Sequence, residues 1–145
     1  MKAVVQRVKQ TSLKVEGELI SQIPFGLTVF LGVKEGDEKS QAEWLMKKVA
    51  NLRVFEDENG KMNLSVKDVG GEVLLVSQFT LYGDCAKGNR PSFSLAARPE
   101  IAEPLYNYAA EFLSSQGVCV KKGVFGADMK IEQFNDGPVT ILLEN

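Results

Sequence analysis

Val73-Leu74-Leu75-Val76-Ser77-Gln78-Phe79-Thr80-Leu81 sets an unbroken block of apolar β-formers directly before a segment carrying Ser, Gln and Thr. A half-exposed strand would alternate polar with apolar residues, so a continuous block reads as a strand covered on both faces. Polar side chains at the end of such a strand have two readings. They satisfy backbone groups where the sheet stops, or they form the floor of a pocket.

Outward from this stretch, the pattern toward the N-terminus is mostly strand. Residues 2–8 and 13–23 read as strands, the second broken at Glu16-Gly17-Glu18 by a Gly-centred hairpin turn, and Pro24-Phe25-Gly26 leads into an apolar strand over 27–33. A first helix is expected from Gly36-Asp37, with Asp37 as its N-cap and Ala42, Leu45, Met46, Val49 and Ala50 at helical spacing. Trp44 falls on the other side of that wheel. A short strand over 52–55 ends at the turn Asp57-Glu58-Asn59-Gly60, and Gly70-Gly71 breaks the chain before the opening stretch.

Toward the C-terminus, residues 82–98 shift to Gly, Asn, Pro, Ser and basic residues and read as a long surface loop, a kind of segment that is often functional. A second helix is expected over 100–116, with Ile101, Leu105, Tyr108 and Phe112 on one face and Gly117 as its stop. Pro104 must sit in its first turn or bend it. Strands over 118–121, 129–134 and 139–143 close the chain, the last two joined across Asn135-Asp136-Gly137-Pro138. On spacing alone that tetrapeptide is a hairpin, although a Gly-Pro bond is one of the few that can be cis. With more strands than helices, many hairpin-length turns and helices in two separate places, the expected class is α+β around a largely antiparallel sheet or barrel, as one domain over residues 1–145.

Composition narrows the chemistry. The hydrophobic fraction is 44% and the charged fraction 25%, ordinary values for a globular protein, and no apolar run approaches the ~20 residues that span a bilayer. The N-terminal segment reads as a strand and not as a signal peptide, so a cytoplasmic protein without a membrane partner is expected. Cys85 and Cys119 lack metal-ligand spacing and read as reduced, partly buried thiols. No histidine is present, which removes the commonest general base, the commonest zinc ligand and every Ser-His or Cys-His pairing. No metal or cofactor is expected. A net charge of −2 argues against coating long nucleic acid, DNA included, but leaves room for a small basic footprint such as Lys87, Arg90 and Arg98.

Two segments, Ser77-Gln78-Phe79-Thr80-Leu81 and Asn135-Asp136-Gly137-Pro138-Val139-Thr140, resemble the two signature motifs of the D-aminoacyl-tRNA deacylases. The resemblance extends over essentially the whole chain, through Gln6-Arg7-Val8, Gly60-Lys61-Met62-Asn63-Leu64, Arg90-Pro91-Ser92-Phe93-Ser94 and Phe125-Gly126-Ala127-Asp128-Met129. It implies a homodimeric hydrolase that cuts the ester between a D-amino acid and the terminal adenosine of tRNA. It also implies a site shared between subunits, with Ser77, Gln78, Phe79 and Thr80 on one side and Gly137 and Pro138 of the partner subunit on the other.

An aminoacyl ester is already activated by the neighbouring 2′-hydroxyl, so orientation and oxyanion stabilisation can suffice without a histidine. Backbone N–H groups near Phe79 and Thr80, with Gln78, are the expected oxyanion donors. Thr80 as a covalent nucleophile is the competing mechanism, and no base is visible to activate it. Carbonyls of Gly137 and Pro138 are expected to capture the amino group and exclude an L side chain, so that several D-amino acids and also glycine are accepted. Lys87, Arg90 and Phe93 are candidate contacts for the acceptor end of tRNA. Two further readings compete: a non-catalytic RNA-binding or assembly module, and a thiol hydrolase using Cys85, which lacks a histidine to lower its pKa.

Overall fold

A computed structural model describes residues 1–145. Its frame is one long strand, β1 (Lys2–Val15), which pairs antiparallel with three others. Along one edge its first half pairs with β3 (Gly26–Gly32) and its second half with β2 (Glu18–Ile23), the expected hairpin through Glu16-Gly17. Along the other edge runs β8 (Met129–Glu144).

The chain then makes two crossovers. From β3 it passes through α1 (Lys39–Asn51) and a small hairpin, β4 (Phe55–Glu56) with β5 (Met62–Leu64), to β6 (Glu72–Ser77), which lies parallel to β3. From β6 it passes through α2 (Pro99–Ser115) to β7 (Cys119–Lys122), parallel to β6. Parallel neighbours need such long connections, which is why the two helices occur in separate places. The sheet order is β2-β1-β3-β6-β7, with β8 on the far side of β1. Its ends approach closely enough for Ser21 Oγ to donate to Lys122 O at 2.6 Å, so the sheet curls into a nearly closed barrel.

Burial follows the sequence pattern where apolar residues are dense. Val73 and Leu75 of β6 face the helices, and Leu74 and Val76 face a smaller core with Val8, Leu13 and Ile23. Both faces are therefore dry, and each fully buried Val or Leu contributes about 1.5–3 kcal/mol. Gly26 makes the β3–β6 approach possible. At φ 140°, a Cβ there would lie 1.9 Å from Glu72 O.

Three local expectations change. Asp37 does not cap α1: its carboxylate takes the Met1 ammonium at 2.9 Å and the Lys34 N–H at 2.6 Å, and Glu38 is the cap, with its N–H donating to Gln41 Oε1 at 3.0 Å. The buried stripe of α2 is rotated. Ala102, Leu105, Tyr106, Ala109 and Leu113 face inward while Ile101 is 40% exposed, because alanines let the helix axis approach the sheet and the larger Tyr108 and Phe112 pack at the margin. The final two strands prove to be one, β8, in which residues 135–138 are not a hairpin. No helix is long and apolar enough to cross a membrane.

Candidate functional site

β6 keeps its register with β3 until Leu31 meets Ser77. The Gln78 N–H still donates to Leu31 O at 2.8 Å, and then the chain leaves the sheet in a single 3-10 turn, Phe79–Tyr82, closed by the Gly83 N–H on Thr80 O at 2.9 Å. That exit leaves Ser77, Gln78 and Phe79 at the floor of a cavity of about 560 Å³. Its walls come from three elements far apart in sequence: Ala102 and Tyr106 of α2, Met129 and Ile131 of β8, and Phe93 with Ala97 of the long loop. Thirteen of its 18 lining residues are hydrophobic, so Ser77 and Gln78 stand out as polar groups able to orient a ligand.

Tyr106 fixes the wall to the floor, since its hydroxyl donates to Leu75 O at 2.8 Å. Burial pushes that hydroxyl far above its ordinary pKa, so it stays neutral and cannot serve as a base near neutral pH. Asp128 is the one charged lining residue, and Lys130 holds its carboxylate at 3.0 Å. No three Cys, Asp or Glu side chains converge as a metal ion would require.

The expected site residues separate into groups. Ser77, Gln78, Phe79 and Phe93 share the cavity, and the rings of Phe79 and Phe93 meet edge to face at 5.1 Å at its mouth, where they are 57% and 37% exposed. Thr80 is exposed and outside the lining, its hydroxyl engaged by Gln78 Nε2. Lys87 and Arg90 are exposed on the loop beyond Phe93 and do not line the cavity. Cys85 and Cys119 are unpaired, but both are exposed, contrary to the expected partial burial, and neither reaches the cavity. Cys85 lies in a polar loop beside the Asp84–Ser92 bridge, and Cys119 in the edge strand β7, so neither position has a core to enter.

Gly137 and Pro138 lie elsewhere, exposed on β8. Gln6 pairs with Thr140 and Val8 with Asn135, so Arg7 alone stands opposite residues 136–139 of β8. Four residues against one make a wide bulge with a cis bond between Gly137 and Pro138. Gly137 has φ 125°, and a Cβ there would lie 2.8 Å from Val139 Cγ2 and 3.3 Å from Arg7 Nη2.

Arg7 anchors the bulge. Only 7% exposed, it donates from Nη1 to Val54 O at 2.6 Å and from Nε to Asp136 O at 3.2 Å, with the Asp136 carboxylate also 3.2 Å from Nε. Sequence reasoning misses this anchor, because a lone Arg between Gln6 and Val8 looks like any strand cation. The one signal for it is its odd position, in phase with the apolar Ala3 and Val5 of β1.

Fold and cavity together define a small α+β barrel whose polar strand end floors an apolar pocket beneath a crossover helix. The family described as D-Tyr-tRNA(Tyr) deacylase matches residues 4–144. Two proteins named D-aminoacyl-tRNA deacylase, from Bacillus cytotoxicus and Syntrophomonas wolfei, are 52% and 54% identical over 145 residues, covering 100% of this chain and 99% and 97% of theirs. A solved structure titled c-Myc DNA Unwinding Element Binding Protein has 48% identity and a TM-score of 0.94, covering 100% of this chain and 99% of that one. A probable eukaryotic D-amino acid tRNA deacylase shares the fold at TM-score 0.83 with 15% identity, over 98% and 97% of the two chains. The chain belongs to the D-Tyr-tRNA(Tyr) deacylase family.

Proposed function

We propose that this protein hydrolyses the ester of D-aminoacyl-tRNA at the Ser77–Phe79 cavity, releasing the D-amino acid and free tRNA in the cytoplasm, and that a homodimer completes each site. The observation that carries the reading is the polar floor of an otherwise apolar cavity, formed by a motif of the family to which the chain belongs. The first N–H groups of a helical turn lack acceptors within that turn, so those of Phe79 and Thr80 are placed to receive a developing oxyanion, with Gln78 beside them. The substrate's own 2′-hydroxyl assists water, and the protein supplies orientation. Thr80 positions Gln78 and is not a nucleophile: its hydroxyl is engaged by Gln78 and no titratable base stands next to it.

The bulge is the chiral filter. Gly137 and Pro138 face away from their own cavity, flanked on β8 by exposed Phe134 and Leu142, at 66% and 71% exposure, which suit burial against a second copy. Inserted into that copy's cavity, the bulge carbonyls take the amino group and occupy the space an L side chain would need. The filter rejects by exclusion, so glycyl-tRNA is a substrate as well. Lys87 and Arg90 meet acceptor-end phosphates, and Phe93 lies against the terminal base. The test is release of tyrosine from D- and L-tyrosyl-tRNA, with Cys85→Ala alongside. Hydrolysis of the D-ester alone, unchanged by the cysteine variant, supports the reading. Tight RNA binding without hydrolysis would favour a non-catalytic module.

A further inference from the structure

We propose that Gln6 and Gln133 are positioning residues that set the aim of the Gly137-Pro138 bulge, and through it the discrimination between D- and L-aminoacyl esters. The clamp presupposes the chiral filter and acts through it.

A bulge of four residues against one is free to swing unless both its feet are held. Those feet are Asn135 and Thr140, the last paired positions before and after it. The bulge adds three residues, an odd number, so the odd positions of β8 face the smaller core before it, at Met129 and Ile131, and the larger core after it, at Val139, Ile141 and Leu143. Gln133 before the bulge and Thr140 after it therefore share one face of the sheet, together with Gln6 of β1.

On that face the side chains form a continuous chain. Gln133 Nε2 donates to Asn135 Oδ1 at 2.5 Å and to Gln6 Oε1 at 2.8 Å, and Gln6 Nε2 donates to Thr140 Oγ1 at 3.3 Å. The chain spans the bulge from foot to foot. Arg7, the next residue of β1, grips Asp136 from the opposite face, so the bulge is held from both sides.

The amides are oriented as a set: Gln6 Nε2 faces Thr140 and Gln6 Oε1 faces Gln133, which aims Gln133 Nε2 at both Gln6 Oε1 and Asn135 Oδ1. In this orientation its own Oε1 is buried and has no hydrogen-bond partner. Proteins rarely leave a buried acceptor unsatisfied, and an apolar side chain of similar size would fill the place without that penalty. A glutamine kept here at the expense of its acceptor implies that its two donated bonds matter for something other than stability.

The experiment is Gln133→Met, which keeps the volume, removes both donors and removes the unsatisfied acceptor. Initial rates on D- and L-tyrosyl-tRNA are measured with wild type, Q133M, Q6A and the double variant. The expected result is a melting temperature equal to or above wild type, with the D-to-L ratio of kcat/KM falling about five- to tenfold through faster L-ester hydrolysis, the scale of one lost hydrogen bond. The double variant should discriminate no worse than Q6A alone, because a chain is broken only once. A Q133M ratio equal to wild type overturns the clamp, as does a proportional fall on both substrates. Pro138→Ala is the reference for the filter. If its ratio matches wild type, filter and clamp both fall; if its ratio collapses while that of Q133M holds, the clamp alone is overturned.

Discussion

The strand end at Ser77–Phe79 and the bulge at residues 136–139 face opposite kinds of surroundings. The strand end opens on a cavity that its own chain walls with α2, β8 and the long loop. The bulge opens on nothing in its own chain. Yet the bulge has the more expensive anchor, a buried guanidinium at 7% exposure whose desolvation must be offset by the Val54 and Asp136 carbonyls and the Asp136 carboxylate. A fold gains little from holding an outward loop this firmly for its own sake. On the proposed reading the unit of function is larger than the unit of folding: each cavity takes its floor from one subunit and its filter from a second.

The contrast can be broken by substitutions on either side. Gly137→Ala should have the largest effect, lowering kcat/KM for D-tyrosyl-tRNA by about a hundredfold or more, because a displaced group of ~1 Å costs that much and the added Cβ collides with Val139. Steady-state kinetics check it, and near-normal turnover would mean the bulge serves no site. Gln78→Ala should cost about a hundredfold in kcat with little change in melting temperature, as expected when an oxyanion donor is lost. Arg7→Met sharpens the comparison from the stability side. A urea titration should show a loss of about 3 kcal/mol from the orphaned partners, with turnover falling about tenfold as the bulge slackens.

Thr80→Val should reduce turnover less than about threefold, whereas a covalent nucleophile would lose all of it, since its hydroxyl only supports Gln78. The smallest effect belongs to Lys87→Ala with Arg90→Ala. The slope of log affinity for tRNA against log salt should flatten by roughly one to two, with turnover on saturating substrate unchanged.

Much of the fold is legible in the sequence where burial is local and dense. Val73–Val76 read as a doubly covered strand because no polar residue interrupts them, and the buried face of α1 follows residue for residue from its spacing. Asn135-Asp136-Gly137-Pro138 reads as a hairpin, wrongly, because four turn-forming residues carry a strong local signal. The deciding force is non-local: β1 is 14 residues long and recaptures β8 on both sides of the interruption, so the chain bulges and continues in the same direction. The cavity obeys the same division. Its floor is visible in one pentapeptide, but its walls come from α2, which the parallel β6–β7 crossover places, and from β8, which antiparallel pairing with β1 places. Asp37 has the look of a helix cap, yet the ammonium that claims it comes from the start of the chain, 36 positions away.

The most direct test of the two-chain site is a mixing experiment. Gln78→Ala disables the strand end and leaves the bulge; Gly137→Ala disables the bulge and leaves the strand end. Unfolding and refolding the two variants together at equal amounts gives mixed dimers in about half the population. Each mixed dimer has one site with both halves intact, so D-tyrosyl-tRNA hydrolysis should recover to about a quarter of wild type. A mixture as inactive as its two parents would contradict the account, because it would show that each subunit needs both motifs for itself.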